Sequence, residues 1–568
     1  MPPRTAPIDS KARRSYRWLA LSLGGLLIAA CSPAHASVYY VDYASGSDAA
    51  AGDRPEEAWR HAPGDAQAVG RPKTVKLQPG DTVRFRGGVA YRGAVTLPAS
   101  GMQGMPITYA GDQWGDQPAI FDGSDPVSSA TPCQSAEACG GAQNWPQLSL
   151  VSYTQPPTQL IKFFDNQGML FESQYPVADD PFFSDDVFGY VELPEGEALQ
   201  GEQGRIRSSK LVKALSGGAG GAQLSIWTYG NNVTRRPITA ISGDTIEFVP
   251  NGLRLYKDRP GRAAVVNAVG LVDKPGLYAV IAPGQAIAWL REPTATVLSI
   301  GSGRRAIDIR GKSDVVIRGF VFERFVAAKY GEGIQIINSG EIASRVLIEK
   351  NIFRRSALYS GAGSIMIGKV DNARIVGNTF LDQERGSGIR TNIKPVTNLQ
   401  IIDNRFERLG KTGILVMGSS DVTISRNTME GLYGVHGNGI SIYLDNRRVT
   451  VSENRIINAS RPMTFHGEDP DKSPGDHDIL IEGNVFTTKV PGAAALVSYG
   501  KTRGVTITNN VLIGPKLGMA LSAKDSRLIV TDNSTSGIAT KGDQPADWIV
   551  KNNKGVSKAQ ALDAGRAN

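Results

Sequence analysis

Two acidic residues set 23 positions apart, Asp445 and Glu468, are the pair in this sequence best suited to acid–base work. One carboxyl of raised pKa can protonate a leaving oxygen while a second, ionised, serves as nucleophile or base. Such a pair can split an acetal link such as a glycosidic bond. Asp469 is an alternative partner in the same run, His466-Gly467-Glu468-Asp469-Pro470-Asp471. A second chemistry competes for these residues. Removing the proton α to a sugar carboxylate, with elimination of the linked sugar, needs a base, an acid and a cation to neutralise the carboxylate. Here His466 would be the base, Tyr443 the acid and Arg390 the neutraliser, with Lys501 as a further cation. Glu468, Asp469 and Asp471 also form a candidate site for a structural calcium ion, although the same Pro/Gly/Asp-rich makeup suits a solvated loop. No cofactor and no other metal site is expected.

Elements that could carry these residues are legible as a repeat. Eight segments of alternating apolar residues end in Asn, from VLIEKN (Val346–Asn351) to LIVTDN (Leu528–Asn533). Their asparagines stand at 351, 378, 404, 427, 454, 484, 510 and 533, so the period is 23 to 30 residues. Each period holds two or three short β-patterned runs without helical periodicity, which predicts an all-β solenoid. Asn tolerates a left-handed backbone and can bond its amide to the equivalent Asn one coil away. A second strand in each coil follows a Gly-containing turn. With Ile334/Ile336, Ile365/Ile367, Ile389/Thr391, Ile414/Val416, Ile440/Ile442 and Met463/Phe465 inward, period-two alternation leaves Gln335, Arg390, Asn392, Ser441, Tyr443, Thr464 and His466 outward. Coils about 4.8 Å apart would let these line one groove of sugar-chain dimensions. Gln335, Asn392, Tyr499 and Lys501 are then candidate substrate-binding residues, and His436, in a Gly-flanked turn, is one at the groove edge.

The repeat resembles the right-handed parallel β-helix. The opening Val38-Tyr39-Tyr40-Val41-Asp42, followed by Pro79-Gly80-Asp81-Thr82-Val83 and Gly87-Gly88-Val89-Ala90-Tyr91-Arg92-Gly93, resembles that of exported β-helix proteins acting on polysaccharides. Between coils, Asp273, Pro275, Gly276, Leu277 and Tyr278 resemble an Asp-x-Pro-Gly-Glu-Trp-Tyr signature. That signature belongs to a small β-barrel inserted in β-helix glycoside hydrolase families. Glu and Trp of the signature are missing here. This resemblance implies a small inserted β-rich barrel and favours hydrolysis over elimination; a non-catalytic polysaccharide-binding protein is the third possibility.

Basic residues up to Arg17 precede an apolar run, Trp18–Ala30, too short for a spanning helix of about 20 residues. Leu27–Cys31 resembles a bacterial lipobox with Cys31 as the lipidated residue, while Ala34-His35-Ala36 resembles an ordinary signal-peptidase site. Either implies export, to the periplasm or as an outer-membrane lipoprotein. Cys133 and Cys139 then remain as one short-loop disulfide. Net charge is +8, of which the first thirty residues supply +4 (five basic, one acidic), leaving +4 and no basic stripe for nucleic acid. The expected layout is a signal over 1–30, first coils over 31–180, the insertion over 181–300, the main β-helix over 301–545 and a tail over 546–568, in a monomer.

Overall fold

The computed structural model describes residues 36–556 except 158–159, 184–189, 193–198, 201–203, 230–231, 254–260, 293–296, 327–332, 338–340, 360, 393–394 and 468–476. Three parallel sheets wind round one apolar core. A first sheet of thirteen strands runs from Val38–Val41 to Ile549–Lys551 and contains the Asn-terminated segments. A second, of eleven strands, runs from Val95–Thr96 to Ile538–Lys541, and a third, of twelve, from Ala90–Tyr91 to Lys554–Gly555. The chain visits first, third and second sheet in turn. Inward residues of all three, such as Ile375, Phe380 and Ile389, are fully buried.

Two internal ladders hold the coils in register. In the first, each Asn amide nitrogen donates to the Oδ1 of the next Asn: Asn378 to Asn404 at 3.0 Å, Asn404 to Asn427 at 3.0 Å, Asn427 to Asn454 at 2.9 Å. The same Oδ1 also accepts the backbone N–H of the preceding Asn. The ladder reaches Asn553, beyond the 545 boundary, so a further coil lies where a tail was expected. The left-handed residue is not the Asn but the one before it. Lys350, Asp403, Arg426, Glu453 and Asp532 have φ of 53–59°, and Gly377 and Gly483 have 64°. The turn is made by that residue, leaving the Asn amide free to face along the axis.

A phenylalanine stack forms the second ladder: Phe121, Phe322, Phe353, Phe380 and Phe406, with successive centroids 4.6–5.4 Å apart and rings within 9° of parallel. A Cβ on Gly388 would sit 2.7 Å from the Phe406 ring, so the second-sheet strand can pass the stack only with glycine there. Phe380→Ala would remove a fully buried ring that stacks on both faces. It is expected to cost about 3–5 kcal/mol, measured by urea denaturation.

The insertion occupies one particular turn. The chain leaves the solenoid after Ile120–Asp122 of the third sheet and rejoins at Ile307–Asp308 of the second, which pairs in parallel with Val95–Thr96. Departure therefore comes near residue 123 rather than 181. Between these points lie sheets of four, five and eight strands, antiparallel except where Phe171–Glu172 pairs in parallel with Leu277–Ala282. The eight-stranded one runs from Gln174–Tyr175 through Arg262–Val266, Gln223–Tyr229, Asn232–Ser242, Thr245–Phe248 and Arg205–Arg207 to Leu199–Gln200, with Val191–Glu192 beside Arg262–Val266. Among the described residues no pairing closes it into a barrel. Cys133 and Cys139 form a disulfide within this region.

Candidate functional site

The insertion, which replaces a third-to-second-sheet turn, packs on the turns that enter the second sheet, whose outer face carries the candidate residues. Phe183 packs edge-on against Tyr433 (5.0 Å), and the Arg408 guanidinium lies 4.5 Å from the Phe182 ring centroid. Where the insertion meets the coils there is a cavity of about 140 Å³ lined by Lys162, Glu172, Gln174, Lys274, Arg291 and Glu384 among others. Its carboxylates are neutralised in place. Glu172 pairs with Arg235 at 2.6 Å, and Glu384 pairs with Lys162. Burial works against the Glu172 charge, but Arg235, backed by Lys162 and Arg385, outweighs it and holds the carboxyl below its ordinary range. A carboxyl held ionised is a poor general acid; of the two pairs, Glu172–Arg235 lies within the insertion and Lys162–Glu384 joins it to the solenoid. Sequence periodicity gave no sign of this cluster, because its members come from separate elements.

Along the groove the alternation expected from sequence holds. Ile365, Ile367, Ile389, Thr391, Ile414, Val416, Ile440, Ile442, Met463 and Phe465 are buried inward. Between Met366 and Ser522, the described outward positions of the strands carry no carboxylate. Ser441 and Thr464, in register on neighbouring strands, join through their hydroxyls at 2.9 Å. Tyr443 pairs in register with His466, their rings stacked at 5.2 Å and 24°. Tyr499, one position past the Phe465–Ser498 pair, continues the row. Tyr443 is 43% and Tyr499 50% exposed, so the row offers aromatic faces to a ligand.

Burial and then Lys501 push the His466 pKa below the ordinary histidine value, and its Nδ1 is buried without a hydrogen-bond partner among the described residues. Gly467 follows. A Cβ there would lie 1.8 Å from the Lys501 carbonyl oxygen, so glycine is required for the strand end to dock on the 500–501 turn. That turn is anchored by Asp525, which accepts from the Ser498 hydroxyl and from the Thr502 N–H (3.0 Å) and hydroxyl (2.6 Å). Asp525 was not singled out from sequence, since a lone Asp in a turn carries no periodic signal.

Asp445 stands just past Tyr443 and pairs with Arg447 at 3.3 Å, its side chain 39% exposed. The intervening Leu444 has φ of 69°, an uncommon conformation for a branched residue, which turns the chain sharply at this point. Asn392 lies in the groove, half-buried. Glu468, Asp469 and Asp471, the Gln335 side chain and Cys31 lie outside the described residues. Among the described residues no group of three His, Cys, Asp or Glu could hold a metal ion.

At the entry end of the second-sheet strands the groove is basic. Arg390 has no hydrogen bond or ion pair among the described residues, and burial lowers its pKa. Lys411, His436 and Arg461 belong to successive turns there. The Thr412 hydroxyl donates to the His436 carbonyl at 2.8 Å, and the Lys411 ammonium reaches the Val435 carbonyl at 3.4 Å. The groove walls around its ring, then Lys411, Arg461 and Arg390, push the His436 pKa down. The residue is nonetheless exposed overall, so hydration moderates the first cause and leaves the cations. Lys411 and Arg461 were missed from sequence. Their signal was present as basic residues one coil apart, at 385, 411, 436 and 461.

Both histidines have folded-state pKa values below the unfolded value of about 6.5. The folded chain thus binds fewer protons than the unfolded one just below that pH, and stability falls as pH drops from about 6.5 toward the folded values. Denaturation midpoints at pH 7 and pH 5 should converge in a His436→Gln/His466→Gln double variant.

The family described as the right-handed β-helix region matches residues 294–456 and 332–535. A solved structure described as a glycoside hydrolase superposes with a TM-score of 0.57 at 14% identity, covering 93% of this chain and 99% of its own. A complex of XylC with xylose (TM-score 0.46, 12% identity, 92% and 86% covered) and a GH136 lacto-N-biosidase from Eubacterium ramulus (0.39, 10%, 91% and 67%) are also similar. No curated protein matches the sequence. The chain is a right-handed parallel β-helix, and at these identities the likeness to solved structures concerns the fold.

Proposed function

We propose that the protein is an exported enzyme that cleaves glycosidic bonds in a polysaccharide laid along the groove of the second sheet. Cleavage is by hydrolysis, with Asp445 and Glu468 as the carboxylate pair and Asp469 as the alternative partner. The observation that carries this reading is the register of Tyr443 with His466. In the sequence Asp445 follows Tyr443, and Glu468 follows His466, by two residues. The ion pair with Arg447 suits Asp445 to the ionised role, nucleophile or base, and leaves proton donation to Glu468. The aromatic row of Tyr443, His466 and Tyr499 supports sugar stacking beside them. Export follows from the amino-terminal segment, with Cys31 as the site of a lipid anchor at the outer membrane or, if cleavage follows Ala36, a soluble periplasmic form.

One set of observations favours β-elimination as a second reading. The described outward face has no carboxylate between Met366 and Ser522, Arg390 has no ion pair among the described residues, and burial and then Lys501 lower the His466 pKa. These two side chains are the parts needed to neutralise a uronate and take its proton. The test is incubation of the mature protein with neutral and uronate-containing polysaccharides, following reducing ends and the ultraviolet absorbance of unsaturated uronates together. New reducing ends without absorbance are expected. Both rising together would replace hydrolysis by elimination, and binding without product would leave a polysaccharide-binding protein.

A further inference from the structure

We propose that the entry edge of the groove holds a subsite for an acidic substituent of the bound sugar chain, formed by Arg390, Lys411, His436 and Arg461. The inference rests on the groove being the polysaccharide site and deepens that reading by naming the substrate class. It stands for either way of breaking the bond.

Several exposed arginines of this solenoid are matched by acids one coil away: Arg345 with Asp314 (2.6 Å), Arg426 with Asp403 (2.8 Å), Arg448 with Asp421 (2.6 Å). Neither Arg390 nor Arg461 has an ion pair or side-chain hydrogen bond among the described residues, and Lys411 and Arg461 lie close enough to His436 to oppose its protonation, as Arg390 does. The two guanidiniums without ion pairs, Arg390 and Arg461, repel each other near this histidine, and an anion placed between them would relieve that repulsion.

Position also fits. Arg390 lies on the outward face of its strand, two coils or about 10 Å along the axis from Tyr443. His436 is exposed at the groove edge, and Asn438, two residues on, pairs in register with Arg461. Asn438 and Tyr443 are the two ends of one strand, about 16 Å apart, so a sugar chain stacked on Tyr443 reaches this edge by running across the sheet rather than along the axis. Planar guanidiniums with unused donors match a carboxylate, and the acid of a uronic sugar is the substituent that would meet them. A sulfate ester would meet the same donors, so the shared chemistry is an anionic oxygen group on a sugar.

The test uses the mature Asp445→Asn/His466→Ala protein, which lacks a required group for hydrolysis and for elimination alike, so that ligands are not consumed. Binding is measured against a panel of uronate-bearing polysaccharides, the same polymers after carboxyl reduction, and sulfated polymers before and after desulfation. At least one acidic polymer should bind, and carboxyl reduction should weaken it by roughly tenfold or more. Arg390→Gln and Arg461→Gln should do the same, with Arg390→Lys retaining part of the affinity and all three keeping the parent unfolding midpoint. The His436 ring, followed by NMR, should titrate at higher pH with the acidic ligand bound than without it. Loss on desulfation rather than on carboxyl reduction would identify the anion as a sulfate and support the same subsite. Equal affinity for reduced and unreduced polymers, with desulfation also without effect, or undiminished binding by the arginine variants, would overturn the subsite and leave the groove reading standing. Failure to bind any polymer, acidic or neutral, would remove the groove reading and the subsite with it.

Discussion

Asp445→Asn is expected to lower turnover by about 10² to 10⁴-fold, the range spanned by loss of a positioned proton-transfer group, while leaving the fold intact. The side chain is 39% exposed and its ion pair with Arg447 is a surface pair. Such pairs contribute little to stability, about 0–1 kcal/mol, and Asn keeps the shape. A large kinetic loss with an unchanged unfolding midpoint would therefore place Asp445 at the reacting atoms. Glu468→Gln should give a loss of the same order, whereas Arg390→Gln should act mainly on KM, because it removes binding of ground state and transition state alike. The reverse order, with His466→Ala abolishing product and Asp445→Asn nearly silent, would sink hydrolysis and promote elimination.

Asn427→Asp should produce the largest loss of stability of any single change in the core, on the order of 5 kcal/mol. Asn427 donates to the Ile401 carbonyl at 2.9 Å, the Ser425 carbonyl at 3.1 Å and Asn454 Oδ1 at 2.9 Å. A carboxylate, having no proton to donate, would face three acceptors in a fully buried site. Its only compensation would be the two donors of Asn404. The loss should shrink as pH falls, because protonating the new acid restores one donor; the raised folded-state pKa makes the deprotonated form the destabilised one. Denaturation at pH 5 and pH 8 reads this directly. Equal stability at both pH values and close to the parent's would mean that the ladder is dispensable.

The coils were legible because their signals are short-range. The Asn spacing and the period-two alternation through Ile389, Ile414 and Ile440 belong to single strands, and both fell where expected. The left-handed turn was placed one residue too late, since Asn is the commoner left-handed residue and nothing local showed that Lys350, Asp403 or Arg426 takes that conformation instead. Departure of the insertion near residue 123 was hidden for a related reason. The runs Phe163–Asp165 and Ser149–Ser152 are too short to show their pairing, and their antiparallel partners, Ser299–Gly301 and Gln285–Ala288, lie far along the chain.

The candidate site divides along the same line. Tyr443, His466 and Arg390 were placed on the outward face by alternation alone. The basic edge needed the register of successive coils, which brings together residues about 25 positions apart, the Glu172–Arg235 pair needed the folding of the insertion, and the Glu384–Lys162 pair needed its docking on the coils. By itself, then, the sequence determined the coil, its ladder of asparagines and which side of each strand faces out, because these depend on backbone geometry within one repeat. Only the tertiary structure decided where the insertion leaves and which charges go unpaired, because those are set by contacts between segments that no local pattern couples.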